Sequence, residues 1–182
     1  METPMLNPIV QLADRASKVA GSLAALCLFG IFGLILSEVF ARNFLGYSIR
    51  FSWDFAGYLM GALFLLGAGP ALREGVHVRV TALRDVVPDK LKWLMDVGAS
   101  LVGLLVTALI FWAIGSMAWL NFLRGTTSAT VSATPLWIPQ CVMAIGAAVF
   151  FLQMVAQTLR VFSGHELTNA AADDTAARGD AK

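Results

Sequence analysis

The sequence predicts an all-α membrane protein with four transmembrane helices and both ends of the chain in the cytoplasm. Three observations predict it. The chain has 182 residues, 58% of them hydrophobic and 14% charged, against about 25% charged in an ordinary soluble domain. The apolar residues are gathered into four long runs that contain no charge. Lys and Arg are distributed unequally between the segments joining those runs.

Each span needs about 20 apolar residues to cross the hydrocarbon layer. The first is expected over 19–41: Lys18 precedes 19 uncharged residues, Val19 to Ser37. A signal-peptide core is shorter, about 7–15 residues, and no convincing cleavage site follows, so this run reads as a retained helix. The second, 54–72, has 18 uncharged residues between Asp54 and Arg73. Pro70 falls inside it and predicts a kink or a frayed end. The third, 97–123, fills the 27 uncharged residues between Asp96 and Arg124. That run is about 40 Å long as a helix and must tilt or project into the interface. The fourth, 136–159, stops before Arg160. Backbone polar groups in lipid must pair internally, so the runs are helices or barrel strands; their unbroken hydrophobicity excludes the alternating strands of a barrel.

Orientation follows from the basic residues. Arg15, Lys18, Arg73, Arg79, Arg84, Lys90, Lys92, Arg160, Arg178 and Lys182 fall on one side, and Arg42, Arg50 and Arg124 on the other. The richer side is assigned to the cytoplasm. Trp53, Trp119 and Trp137 then lie near the outer interface and Trp93 near the inner one.

Outside the spans, an amphipathic segment is expected over 1–18, with Ile9, Leu12 and Ala16 on one side. A cytoplasmic arm helix is expected over 82–95. There Pro88 suits a first helical turn, and Leu83, Val87, Leu91 and Leu94 recur on one face. The outer connection 126–134 has six Ser or Thr among nine residues and reads as polar and flexible. The tail 163–182 is Ala/Asp-rich and reads as disordered.

Catalytic chemistry has no foothold in this pattern. The two histidines, His77 and His165, form no metal-ligand spacing with Cys or carboxylates. No phosphate loop or nucleophile elbow is present, and no histidine inside a span offers itself to haem. A net charge of +1 without a basic cluster argues against nucleic acid. Cys27 and Cys141 lie in apolar runs at different depths and are not expected to form a disulfide. No catalytic residue, cofactor or metal is therefore expected.

The candidate site residues are those that could contact a partner or a lipid. Glu38 and Arg42 lie one turn apart and can pair. Ser52 and Asp54 suit the start of the second helix, as cap and as negative charge on the dipole, and Trp53 stands between them. Gly57 and Gly61 form a GxxxG that admits another helix closely, from this chain or another. Arg73, His77 and Arg79 follow the second span, where they anchor to lipid phosphates or dock a partner.

These residues carry a resemblance. Ala41-Arg42-Asn43-Phe44, Phe51-Ser52-Trp53-Asp54, Phe64-Leu65-Leu66-Gly67-Ala68-Gly69 and the stretch from Ala71-Leu72-Arg73 through His77-Val78-Arg79-Val80 follow one another in order. Pro135-Leu136-Trp137-Ile138-Pro139 and then Gly146 open the last span. Together, over roughly residues 10–162, they resemble the small permease subunit of tripartite ATP-independent periplasmic (TRAP) transporters, the DctQ-like family. The chain departs from that pattern at Asp54-Phe55, where the family has a pair of Glu, at Asn43, which replaces an aromatic, and at Pro70.

The resemblance implies a multi-pass protein of the bacterial cell inner membrane and a part in sodium-coupled uptake of an organic acid, such as a dicarboxylate or sugar acid. The partners implied are a large permease subunit of about twelve spans, which carries the substrate and sodium sites, and a periplasmic solute-binding protein. The small subunit would enlarge the static frame against which the large subunit's transport domain moves. Without the resemblance, a non-enzymatic anchor of another membrane complex, or a small stand-alone channel, would fit the same four spans.

Overall fold

The computed structural model describes residues 6–73, 89–130 and 132–162. Four helices account for nearly all of them: α1 (Leu6–Phe40), α2 (Ser52–Arg73), α3 (Asp89–Arg124) and α4 (Trp137–Phe162). Each is long and apolar enough to cross a membrane, and the protein is an all-α membrane protein. At 1.5 Å per residue α2 is about 33 Å long and matches the hydrocarbon layer, whereas α1 and α3 exceed 50 Å.

The first helix does not separate into an amphipathic segment and a span. It runs unbroken from Leu6 and closes in a π-helical turn, Ala41–Leu45, ended by Gly46 with φ of 72°. The left-handed conformation costs glycine nothing and turns the chain toward α2. Of the arm helix expected over 82–95, residues 82–88 lie outside those described, and 89–95 are the first turns of α3, continuous with the span. The fourth helix starts at Trp137 and continues to Phe162, close to the expected 136–159. The tail 163–182, expected to be disordered, lies outside the described residues. Helix α2 continues through Pro70 to Arg73. Proline lacks the N–H that would bond the Leu66 carbonyl, yet the last turn is kept.

The helices alternate in direction, so both ends of the described chain lie at one end of the molecule. This is called the termini end below, and the other the distal end. Helices α1, α2 and α4 pack mutually, and α3 packs principally on α4. The result is a three-helix group with a fourth helix laid against one side. Much of α3 therefore faces outward, including Val102, Leu105, Leu109 and Trp112.

Small residues let the three-helix group close. Ala13, Ser17, Ala20 and Ala24 recur every three or four positions along α1 and are all buried, forming one helical face. With Ala62 and Leu66 of α2, Ala20 and Ala24 make the hydrophobic core, flanked by Cys27, Leu63 and Val149. In lipid no hydrophobic gain drives helices together, so close contact of such small residues supplies the packing energy.

The tightest approach is between α2 and α4. A Cβ placed on Gly146 would stand 2.7 Å from the Leu66 amide nitrogen and 2.8 Å from the Leu65 carbonyl carbon. Nearby, Gly69 accepts Val149 and Ser17, and Gly21 lies against the ring of Pro70. Helices α3 and α4 meet through Met154 lying over Gly103 and through the stacked rings of Phe111 and Phe151, 6.3 Å apart. Polar side chains within α3 are satisfied locally: Ser100 donates to the Asp96 carbonyl and Thr107 to the Gly103 carbonyl, at 2.7 and 2.9 Å.

Candidate functional site

Polar chemistry is concentrated at the two ends of the helix group. At the distal end Glu38 is the hub. It is buried, with 7% of its surface exposed. Arg42 lies one turn on and donates to Oε1 at 3.0 Å, the expected ion pair. The carboxylate does more than pair. It also accepts from the Ser48 hydroxyl, from the Ile49 backbone N–H at 2.7 Å and from the Ser52 hydroxyl at 3.3 Å. Four donors from the π-turn, the connection and the start of α2 thus converge on one side chain. Arg42 itself remains 59% exposed.

Ser52 does not act as the expected cap. It is the first helical residue, and its hydroxyl points back to the Ile49 carbonyl at 2.8 Å and to Glu38. The free backbone donors of the first turn receive no bond from it. Asp54 does lie in that first turn, and it accepts from the Ser132 hydroxyl at 3.0 Å. That bond ties the α3–α4 connection to α2. Trp53 is 70% exposed.

The α3–α4 connection is a folded turn, where the sequence reading expected flexibility. A bridge pairs Thr127 with Pro135. The Ser128 N–H donates to the Thr134 carbonyl at 2.8 Å, and the Ser128, Thr130 and Ser132 hydroxyls form a chain at 2.6 and 3.0 Å. The Ser/Thr richness serves this internal bonding. Helix α3 ends with Gly125 at φ 60°. The Thr126 N–H reaches the Asn121 carbonyl and the Gly125 N–H the Phe122 carbonyl, a Schellman motif. Asn121 then donates to Gln140 of α4 at 2.8 Å. Beside it Phe122 stacks on Trp119 and meets Trp137 edge to face, as an interfacial belt would.

At the termini end the hub is Asp14. Arg160 of α4 reaches its two oxygens at 3.1 and 3.3 Å, and Arg73 of α2 lies 3.4 Å away. Gln153, fully buried, donates to Asp14 at 3.3 Å and accepts from the buried Ser17 hydroxyl at 3.0 Å. Three helices are joined through one carboxylate. Arg73 therefore binds inward, with only 14% of its side chain exposed. His77 and Arg79 lie outside the described residues.

The two glycines of the GxxxG part company. Gly61 is covered by the side chain of Met143 in α4, while Gly57 faces open space. The backbone-to-backbone crossing falls instead at Gly146. Sequence reasoning named Gly146 only through the resemblance, and missed Asp14, Ser17, Gln153 and Ser132 as site residues. Gln153 and Gln157, one turn apart in an otherwise apolar run, carried a signal: two amides on one face in lipid must point at a polar partner. Both are buried.

Among the described residues no three His, Cys, Asp or Glu side chains gather as metal ligands, and Cys27 and Cys141 are free thiols. Fold and site define a class: a multi-pass helical membrane protein whose charged side chains lie at the helix ends and knit the helices to one another. The family model described as tripartite ATP-independent periplasmic transporters, DctQ component, matches residues 31–164. The chain belongs to this family, and is a small membrane subunit of a TRAP transporter. The family is one of transporter subunits and not of enzymes. No curated protein and no solved structure matches the chain.

Proposed function

We propose that this chain is the fixed frame of its transporter. It widens the static part of a large permease subunit in the bacterial inner membrane, which takes up an organic acid with sodium after delivery by a periplasmic solute-binding protein. One observation carries the reading. Asp, Glu, Lys, Arg and His are absent from the middle of all four spans, while the carboxylates Glu38 and Asp14 are consumed in joining helices. A carrier of solute or sodium needs ionisable or broken-helix sites at mid-depth; a frame needs ties and breadth.

The breadth is supported by α3 standing to one side of the group. Its outward Leu, Val and Trp side chains are a surface for lipid or for the large subunit. Helices longer than the bilayer add anchorage against sliding across it. Deleting this chain from cells that keep the permease and the binding protein should abolish uptake, while purified binding protein still binds its solute. Normal uptake by the large subunit alone would overturn the proposal.

A further inference from the structure

Of the chain's five tryptophans, Trp112 is the one set in the middle of a span. Along α3 it lies 16 residues from Asp96 and 12 from Arg124, or about 24 Å and 18 Å from the charges that bound the apolar run. Its neighbour Phe111 stacks on Phe151, which is itself 14 residues past Trp137 and nine before Arg160 in α4. Two helices therefore agree on its depth. The side chain points outward, with 72% of its surface exposed, and among the described residues its indole N–H meets no acceptor.

Lipid is a poor cover for that group. At the interfaces water and headgroups take up an indole N–H, which is why Trp gathers there. Hydrocarbon at mid-depth offers no acceptor, so the donor bears its desolvation cost unrelieved. Only protein can bring an acceptor to this depth. The surrounding face has the form of a helix seat. Val102, Leu105, Leu109, Trp112, Trp119 and Leu123 recur at intervals of three, four or seven and are each 58–72% exposed. They make one line about 31 Å long, the thickness of the hydrocarbon layer. A notch follows Trp112. A Cβ on Gly115 would meet nothing within 4 Å, and Ser116 turns its hydroxyl back to the Ala113 carbonyl at 3.0 Å. Small residues of this kind let a neighbouring membrane helix come close. A second copy of the chain, meeting this face about a two-fold axis, would set donor against donor at one depth. A different chain is the better cover.

We infer that this line of α3 seats a transmembrane helix of the large permease subunit, and that an oxygen of that helix accepts a hydrogen bond from Trp112 at mid-depth. The identity of the partner rests on the frame reading above, whereas the choice of face rests on Trp112.

The test uses the whole transporter in cells, with the photoreactive benzoylphenylalanine in place of Trp112 and an affinity tag on the large subunit. Irradiation should join the two subunits covalently. A cross-link to a second copy of this chain, or no cross-link while the two subunits still co-purify, would overturn the α3 seat and leave the frame role standing. Failure of the subunits to co-purify would overturn the frame role and the named partner with it. The hydrogen bond is read separately through Trp112→Phe, which keeps an aromatic ring and deletes the donor. That variant should bind the purified large subunit in lipid nanodiscs about threefold more weakly than the parent. By itself it should melt like the parent, because the side chain is exposed within the chain. Equal binding by Trp112→Phe and the parent would overturn the hydrogen bond.

Discussion

Gly146 of α4 lies against the backbone of Leu66 in α2, so close that a Cβ on the glycine would come within 2.7 Å of the Leu66 amide nitrogen. The obstruction is backbone on both sides, and no flexible side chain can move aside. Gly146→Ala must push the helices apart, and overpacking of this kind costs about 1–3 kcal/mol. The variant should melt at lower temperature in detergent. Gly57→Ala, where the Cβ meets open space, should melt like the parent. Equal melting of all three would show that α2 and α4 do not cross at Gly146.

Glu38 and Arg42 form an ion pair, yet the two partners should differ in weight. Removing Arg42 deletes an exposed i,i+4 pair, a contribution of about 0.3–0.5 kcal/mol. Removing the Glu38 carboxylate strands the half-buried Ile49 N–H and takes one acceptor each from Ser48, which is exposed, and Ser52, which keeps its bond to the Ile49 carbonyl. A shielded donor left without a partner costs about 1–3 kcal/mol. Glu38→Ala should therefore destabilise clearly more than Arg42→Ala in thermal melts. Comparable losses would mean that the ion pair, and not the hub, holds the α1–α2 turn.

Asp14 joins α1 to α4 through Arg160 and to α2 through Arg73. These side chains are partly shielded, 14–23% exposed, so the coupling should exceed that of a surface pair. Asp14→Asn, Arg160→Gln and the double variant form a thermodynamic cycle. The double variant should lose clearly less than the sum of the singles, because the second change removes a charge already stranded. Additive losses would leave the two groups energetically independent. Gln153 extends the test: Gln153→Leu should destabilise, since it strands the Ser17 hydroxyl and removes a donor to Asp14.

What could be read from the sequence divides along a physical line. The four spans were legible because exclusion of charge from hydrocarbon is written residue by residue, and Val19–Ser37 or the stretch from Asp96 to Arg124 needs no partner to be recognised. Continuity was not. Lys18 looks like a boundary, yet α1 passes through it from Leu6, because a helix meeting headgroups has no reason to break there. Pairings across the fold were also hidden. Asp54 finds Ser132, 78 positions away, and Asp14 finds Arg160, 146 away. Nothing local in either segment names its partner. The GxxxG rule named Gly57 and Gly61 but not Gly146, where the backbones of α2 and α4 come closest, since the rule gives permission for close approach without saying which face the neighbour takes.

The sidedness of the membrane can be tested independently of the packing. The fold places Arg15, Lys18, Arg73 and Arg160 toward the termini end, and Arg42, Arg50 and Arg124 toward the other. The sequence reading assigns Arg79, Arg84, Lys90, Lys92, Arg178 and Lys182 to the same side, ten of the chain's 13 Lys and Arg in all. That excess should hold the termini in the cytoplasm. In a background with Cys27 and Cys141 replaced by Ala, single cysteines at Arg15 and at Ala129 are both exposed at their positions. A membrane-impermeant maleimide added to spheroplasts should label Ala129→Cys at once and Arg15→Cys only after permeabilisation. The reverse pattern would invert the protein and turn the Asp54–Ser132 end away from any periplasmic binding protein.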